Sequence, residues 1–193
     1  MKNIIIYFFL FSSGILQAQD EINWDGKYKL QISDFKSAST QIGNVKVYSL
    51  FNSCGPEFSF YMSNMEFMFT KNFNSKVNCK FKKNSSALVA PDSAIAMDLL
   101  AFAQYQFDLS ELCARKFRKK IFDEKATFSD VSFIKPIFDN ILIEYSERST
   151  KAGKETDLGI KKDELKILQD DVLLQIQELS EFCKECKPSK KKK

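Results

Sequence analysis

The sequence predicts an α+β protein in which an N-terminal, mostly antiparallel sheet packs against three long helices. Three observations carry this. Short apolar or alternating runs, separated by turn formers, occupy the stretch before Pro91, as half-buried strands do. After Pro91 the apolar residues recur at helical spacing through three long segments. The 193 residues, 44% hydrophobic and only 28% charged, suit one globular domain rather than a disordered chain. A load of 19 phenylalanines supplies much of its core.

Residues 1–18 have a separate character. Lys2 precedes the apolar run Ile4–Phe11, and Leu16-Gln17-Ala18 offers small-residue cleavage chemistry. This reads as a secretory signal peptide, with a mature start near Gln19. No cysteine lies near the cut, and no later run reaches the ~18 apolar residues of a membrane span. The expectation is an exported chain, periplasmic or extracellular, with a single domain over residues 19–186.

Within that domain the first strand is expected at Tyr28–Ile32, the second at Val45–Leu50 and the third at Glu57–Met62, with Asn52-Ser53-Cys54-Gly55-Pro56 as a turn cluster. A further short strand is expected at Val77–Phe81. Pro91-Asp92-Ser93 starts the central helix, Asp92 or Ser93 being the natural N-cap. Ile95, Leu99, Phe102, Leu109, Cys113, Phe117 and Ile121 form its apolar stripe, interrupted by Gln106. A second helix is expected over Asp130–Arg148, with Pro136 kinking it or starting its regular part. Ser149–Gly159 reads as a polar connection, and a last helix runs from Lys161 to about Cys183.

Charge and cysteines limit the chemistry. The formal charge is +4, but Lys2 lies in the leader and five lysines lie in residues 187–193, leaving 23 basic against 25 acidic residues between. The basic tail has no accompanying basic and aromatic groove, so nucleic acid is not an expected partner. Cys54, Cys79, Cys113, Cys183 and Cys186 are odd in number, so at least one stays unpaired. Cys113, inside the central helix, is the candidate free thiol. Cys183 and Cys186 are read as a local or inter-segment disulfide, or as idle thiols, rather than as a redox centre. The sequence contains no histidine, which removes Ser-His and Cys-His catalysis.

The central helix carries Phe102-Ala103-Gln104-Tyr105-Gln106-Phe107-Asp108, then Glu111, Ala114-Arg115-Lys116 and Arg118-Lys119. Here the chain resembles a bacterial domain-of-unknown-function family of secreted zinc-dependent proteases. That family has His-Glu-x-x-His-Phe-Asp at this place, and a Glu-Thr-x-His-Gly stretch that corresponds to Glu155-Thr156-Asp157-Leu158-Gly159. The resemblance implies a zincin-like arrangement. In such a helix two imidazoles four apart bind the metal and the adjacent Glu activates its water. By the same resemblance Phe102, Ala103 and Gln106 take the places of first His, Glu and second His, and Leu158 that of a third ligand. These four are degenerate site positions. No catalytic residue, metal ligand or cofactor is expected.

The expected role is therefore that of a pseudoenzyme, binding another exported protein or a component of the cell envelope. The alternative is a hydrolase using carboxylates or an unrecognised site. Asp108 and Glu111, with Asp157 near position 158, are the oxygen donors considered for calcium or magnesium. The competing reading of Asp108 and Glu111 is bonding to helix ends or to Arg115 and Arg118. A third role is purely structural, with the lysine tail touching anionic envelope surfaces. The helix itself also admits an ordinary reading, a core helix whose basic C-terminal half favours the negative end of its dipole.

Overall fold

A computed structural model describes residues 20–59, 63–70, 72–125 and 131–189. The expected signal peptide and Lys190–Lys193 lie outside these residues. The strands are β1 (Glu21–Asn23), β2 (Gln41–Ile42), β3 (Ser49–Phe51), β4 (Cys54–Phe58), β5 (Val77–Lys82) and β6 (Ala87–Ala90). The helices are α1 (Asn64–Phe69), α2 (Ser93–Glu124), α3 (Ile134–Thr156) and α4 (Lys162–Glu178). The α+β class with three long helices is as the sequence predicts.

The strands make two small sheets. One is antiparallel, in the order β1-β5-β4; the other, in the order β2-β6-β3, pairs β2 with β6 in parallel and β3 with β6 antiparallel. Consecutive strands link them, β3 leading into β4 and β6 following β5. Phe51 faces Ala87, whereas Cys54 faces Phe81. The β5–β6 link thus spends extra residues between the sheets, and they form the 3-10 turn Lys83–Ser85. Ser86 fastens this link: its Oγ accepts from Ser53 N at 3.0 Å and donates to Lys82 O at 2.8 Å.

Several expected strands are corrected. Tyr28–Ile32 is not a strand; Asp34 draws the chain into a 3-10 turn over Ile32–Asp34 by accepting from Gln31 N and Tyr28 Oη. The strand placed at Val45–Leu50 is only Ser49–Phe51, and the one placed at Glu57–Met62 lies earlier, at Cys54–Phe58. Residues 60–62 of that expected strand lie outside those described. The turn cluster at Asn52–Pro56 thus enters a strand, because Pro56 can sit in an outer strand of its sheet, where a missing N–H costs little.

The axis of the molecule is α2, capped as expected: Asp92 Oδ1 accepts from Ile95 N at 2.9 Å. The sequence gives this helix one apolar stripe, but every residue from Phe107 to Arg115 is buried. Both sheets, α3 and α4 pack around it, so its polar side chains must find partners inside the protein. One apolar core, from Leu30 to Ile176, joins all of these elements. Its aromatic contacts include Phe81 against Phe35 and Phe107, and Phe117 against Phe58 and Phe138.

The second long helix is shifted relative to expectation. It covers Ile134–Thr156 rather than Asp130–Arg148, so most of the expected Ser149–Gly159 connection is helical. Pro136 falls in its first turn, where the N–H groups need no helical partner. The polar composition of residues 149–156 misleads because Ala152 and Thr156 are buried while Lys151 and Glu155 remain exposed. The last helix ends at Glu178, with a 3-10 turn at Ser180–Phe182, instead of continuing to Cys183.

Candidate functional site

The four positions singled out in the sequence lie on α2 and on the turn that follows α3. Phe102 is 1% exposed and stacks on Tyr105, with ring centroids 5.8 Å apart and 23° between planes. Leu158 meets it at Gly153 of α3. A Cβ placed on Gly153 would lie 3.3 Å from Leu158 Cδ2 and 3.4 Å from Phe102 Cζ. One turn further along α2, Gln106 Nε2 donates to Ser149 Oγ at 2.7 Å. Ser149 and Gly153 are four apart on α3, as Gln106 and Phe102 are on α2, so facing stripes of the two helices bring these residues together. Ala103 is buried on the sheet side, where its carbonyl accepts from Asn52 Nδ2 at 2.9 Å.

The turn carrying Leu158 is strained. Asp157, Leu158 and Gly159 all have positive φ, at 51°, 53° and 100°, and left-handed backbone is costly for a residue such as leucine. It is held by Leu158 N donating to Gly153 O at 2.9 Å and by Gly159 N donating to Thr156 Oγ1 at 3.1 Å. Gly159 is required sterically: a Cβ there would stand 2.4 Å from Asp98 O and 3.1 Å from Phe102 Cβ. Tyr48 Oη also donates to Asp157 Oδ1 at 2.9 Å.

These residues do not fit zinc. Phe102, Ala103 and Leu158 present no donor atom. Gln106 has one buried oxygen, Oε1, without a hydrogen-bond partner, and a lone neutral carbonyl is a poor substitute for imidazoles. Among the described residues, no group of three Cys, Asp or Glu side chains is placed to hold a metal.

The carboxylates considered for calcium or magnesium are committed to internal partners. Asp108 accepts from Trp24 Nε1 at 2.7 Å, Gln104 Nε2 at 3.2 Å and Gln169 Nε2 at 2.9 Å. Glu111 Oε1 accepts from Arg115 Nε at 2.9 Å and Arg118 Nη1 at 2.8 Å. The two arginines then reach carbonyls that other elements leave unpaired. Arg115 Nη1 donates to Ile176 O at the end of α4, and Arg118 donates to Phe182 O and Val77 O. Asp157 bonds Tyr48 and does not join Asp108 and Glu111 in a ligand set. The sequence names Arg115 and Arg118 as partners of Glu111, but nothing in it shows that the whole network is buried.

The cysteines follow the same pattern. Cys183 and Cys186 form a disulfide, while Cys54, Cys79 and Cys113 are free. Cys79 Sγ lies 3.0 Å from Ser110 Oγ, and Cys54 Sγ lies 3.3 Å from Tyr145 Oη. Burial pushes the thiols of Cys54 and Cys113 up to about 12, and that of Cys79 well above its ordinary value. None is a ready nucleophile at neutral pH, because the thiolate is the reactive form.

Fold and site together define an α+β protein built on a central helix enclosed through its middle, with apolar packing where α2, α3 and the 157–159 turn converge. Compared with known proteins, the chain matches no family model, no curated protein and no solved structure.

Proposed function

We propose that this chain is an exported, catalytically inactive protein with a zincin-like arrangement, serving a binding or structural role in the cell envelope. The observation that supports the reading best is the packing of Phe102 and Leu158 against each other's neighbourhood at Gly153. In a metallopeptidase of this kind the corresponding space holds ligands and a metal-bound water. Here it is filled with hydrocarbon, and burying a side chain such as Phe102 contributes ~1.5–3 kcal/mol. The absence of histidine from the sequence removes any rearranged zinc site of the same type. A filled space also leaves no groove at that point, so a binding role belongs to another surface. The carboxylate-hydrolase alternative is weaker, because both Asp108 and Glu111 are buried and bonded within the fold.

The test has two arms. Purified protein incubated with zinc and dialysed is expected to retain less than stoichiometric metal, and one zinc per chain would overturn the reading. The triple variant Phe102→His, Gln106→His, Leu158→His is expected to acquire zinc affinity, because the ancestry requires these positions to face one point. A folded triple variant that takes up no zinc would sink the ancestry while leaving the inactive assignment intact.

A further inference from the structure

We propose that the Cys183–Cys186 disulfide is a reversible latch. Its reduction by a soluble thiol releases the C-terminal turn from the segment Asn72–Lys76 while the rest of the fold stays closed. The inference uses residues remote from Phe102 and Leu158 and does not rest on the reading of that site.

The two cysteines bracket a turn in which Cys186 N donates to Cys183 O at 3.1 Å, so the bridge joins residues only 3 apart in sequence. A loop that short takes little freedom from the unfolded chain, and closing it adds correspondingly little to global stability. What the bridge fixes is local: the position of the Cys186 carbonyl. Two residues from another part of the chain depend on that carbonyl. Asn72 Nδ2 donates to it at 2.8 Å and Asn74 Nδ2 at 3.1 Å, the second across 112 residues of sequence.

Asn74 is 1% exposed, so its amide must find acceptors inside the protein. Its Nδ2 reaches Cys186 O and Glu181 O, both in the C-terminal segment. The stretch it anchors is short and held largely by its own bonds: Asn74 N donates to Asn72 Oδ1 and Lys76 N to Phe73 O, each at 2.9 Å. On the other side of the turn Phe182 is secured without the cysteines. Its ring lies 5.8 Å from that of Phe122, and its carbonyl accepts from Arg118 Nη1 at 3.0 Å. Opening the bridge therefore frees residues 183–186, and with them the Asn72–Lys76 stretch, but not the chain up to Phe182.

The sulfurs are placed to be reached. Cys183 and Cys186 are half-buried, whereas Cys79 and Cys113 are fully buried. The surroundings are those of a latch rather than of an exchange catalyst, because Cys183 follows α4 and the 3-10 turn Ser180–Phe182. The carbonyl end of a helix disfavours a thiolate. Reduction is a two-electron exchange. A thiolate attacks one sulfur, the Cys183–Cys186 bond breaks, and a mixed disulfide forms; a second thiol then displaces the protein sulfur. Two thiols become one disulfide, and Cys183 and Cys186 each end with one proton.

Native-state hydrogen exchange on the full chain, oxidised and after treatment with dithiothreitol, tests this. On reduction the amides of Cys186, Asn74 and Lys76 are expected to exchange at least about tenfold faster, with those of Phe107–Leu112 unchanged. The variant Cys183→Ser, Cys186→Ser is expected to show the fast pattern without dithiothreitol and no response to it. Asn72→Ala and Asn74→Ala, made separately, each remove a donor to the Cys186 carbonyl, and each is expected to shrink the response at Lys76 about threefold or more. Acceleration confined to residues 183–186 would mean that the bridge holds its own turn and nothing else, and would overturn the proposal. Acceleration reaching Phe107–Leu112 would make the bridge a staple of the whole fold and overturns it equally. So does a bridge that dithiothreitol leaves intact in the folded protein, or a Lys76 response undiminished in both asparagine variants.

Discussion

Arg118 Nη1 donates to Glu111 Oε1 at 2.8 Å, with the arginine side chain wholly withdrawn from solvent. The pair stands on α2 two turns apart, and Arg115 shares the same carboxylate oxygen. The network joins α2 to three other elements, because the two guanidinium groups also satisfy carbonyls of α4, of the turn after it and of β5.

Removing Glu111 leaves two buried cations without a counter-charge. Glu111→Ala is expected to lower stability by about 3–5 kcal/mol, and Glu111→Gln by less, since the amide oxygen still accepts a hydrogen bond. Urea midpoints at neutral pH measure both. Arg118→Met is expected to cost less than the sum predicts when combined with Glu111→Leu, because the double change removes both halves of the buried pair. Additive losses would show that the pair carries little coupling.

The two glycines near Phe102 separate steric need from helix propensity. Gly159→Ala puts a methyl group 2.4 Å from the Asp98 carbonyl and forces a positive φ on alanine, so a loss of roughly 3 kcal/mol is expected. Gly153→Ala meets only side-chain atoms at 3.3–3.4 Å within a helix. There the ~1 kcal/mol gained in helix propensity offsets the crowding, and a change close to zero is expected. Thermal melts of the two variants distinguish the positions.

The buried thiols make stability fall in alkali. Burial pushes the Cys113 thiol from its ordinary 9.0 up to about 12 on folding. Between those values the folded protein keeps a proton that the unfolded chain has lost. The stabilisation is therefore complete below pH 9 and declines as pH rises through the window, by at most about 1.4 kcal/mol per pH unit for one thiol. Urea unfolding at stepped alkaline pH checks this, and Cys113→Ala is expected to fall less steeply than the unaltered chain. Parallel curves would rule out Cys113 as a source of the slope.

Several features were legible in the chain before any coordinates. Asp92 or Ser93 was the natural cap of the central helix, and Asp92 takes that place; Val77–Phe81 read as a short strand, and Cys183 and Cys186 were close enough to pair. That the chain has no histidine, and that positions 102, 103, 106 and 158 hold Phe, Ala, Gln and Leu, was equally plain, since side-chain chemistry is written in the sequence. Other features were hidden because they depend on long-range neighbours. The helical character of residues 149–156 comes from burial of Ala152 and Thr156, which local polarity masks. The division of the strands into two sheets depends on the 3-10 turn at Lys83–Ser85 between β5 and β6, which has no strong signature.

Sequence alone determined which groups this protein has to work with: no imidazole, a capped axial helix, a lysine-rich terminus. Only the tertiary structure decided where those groups stand. Helical periodicity shows one buried stripe, yet a helix enclosed on all sides through its middle buries its charges there too, and their partners come from elements distant in the chain. That enclosure turned Arg115 and Arg118 from an exposed basic face into internal braces, and it closed Phe102 and Leu158 over Gly153.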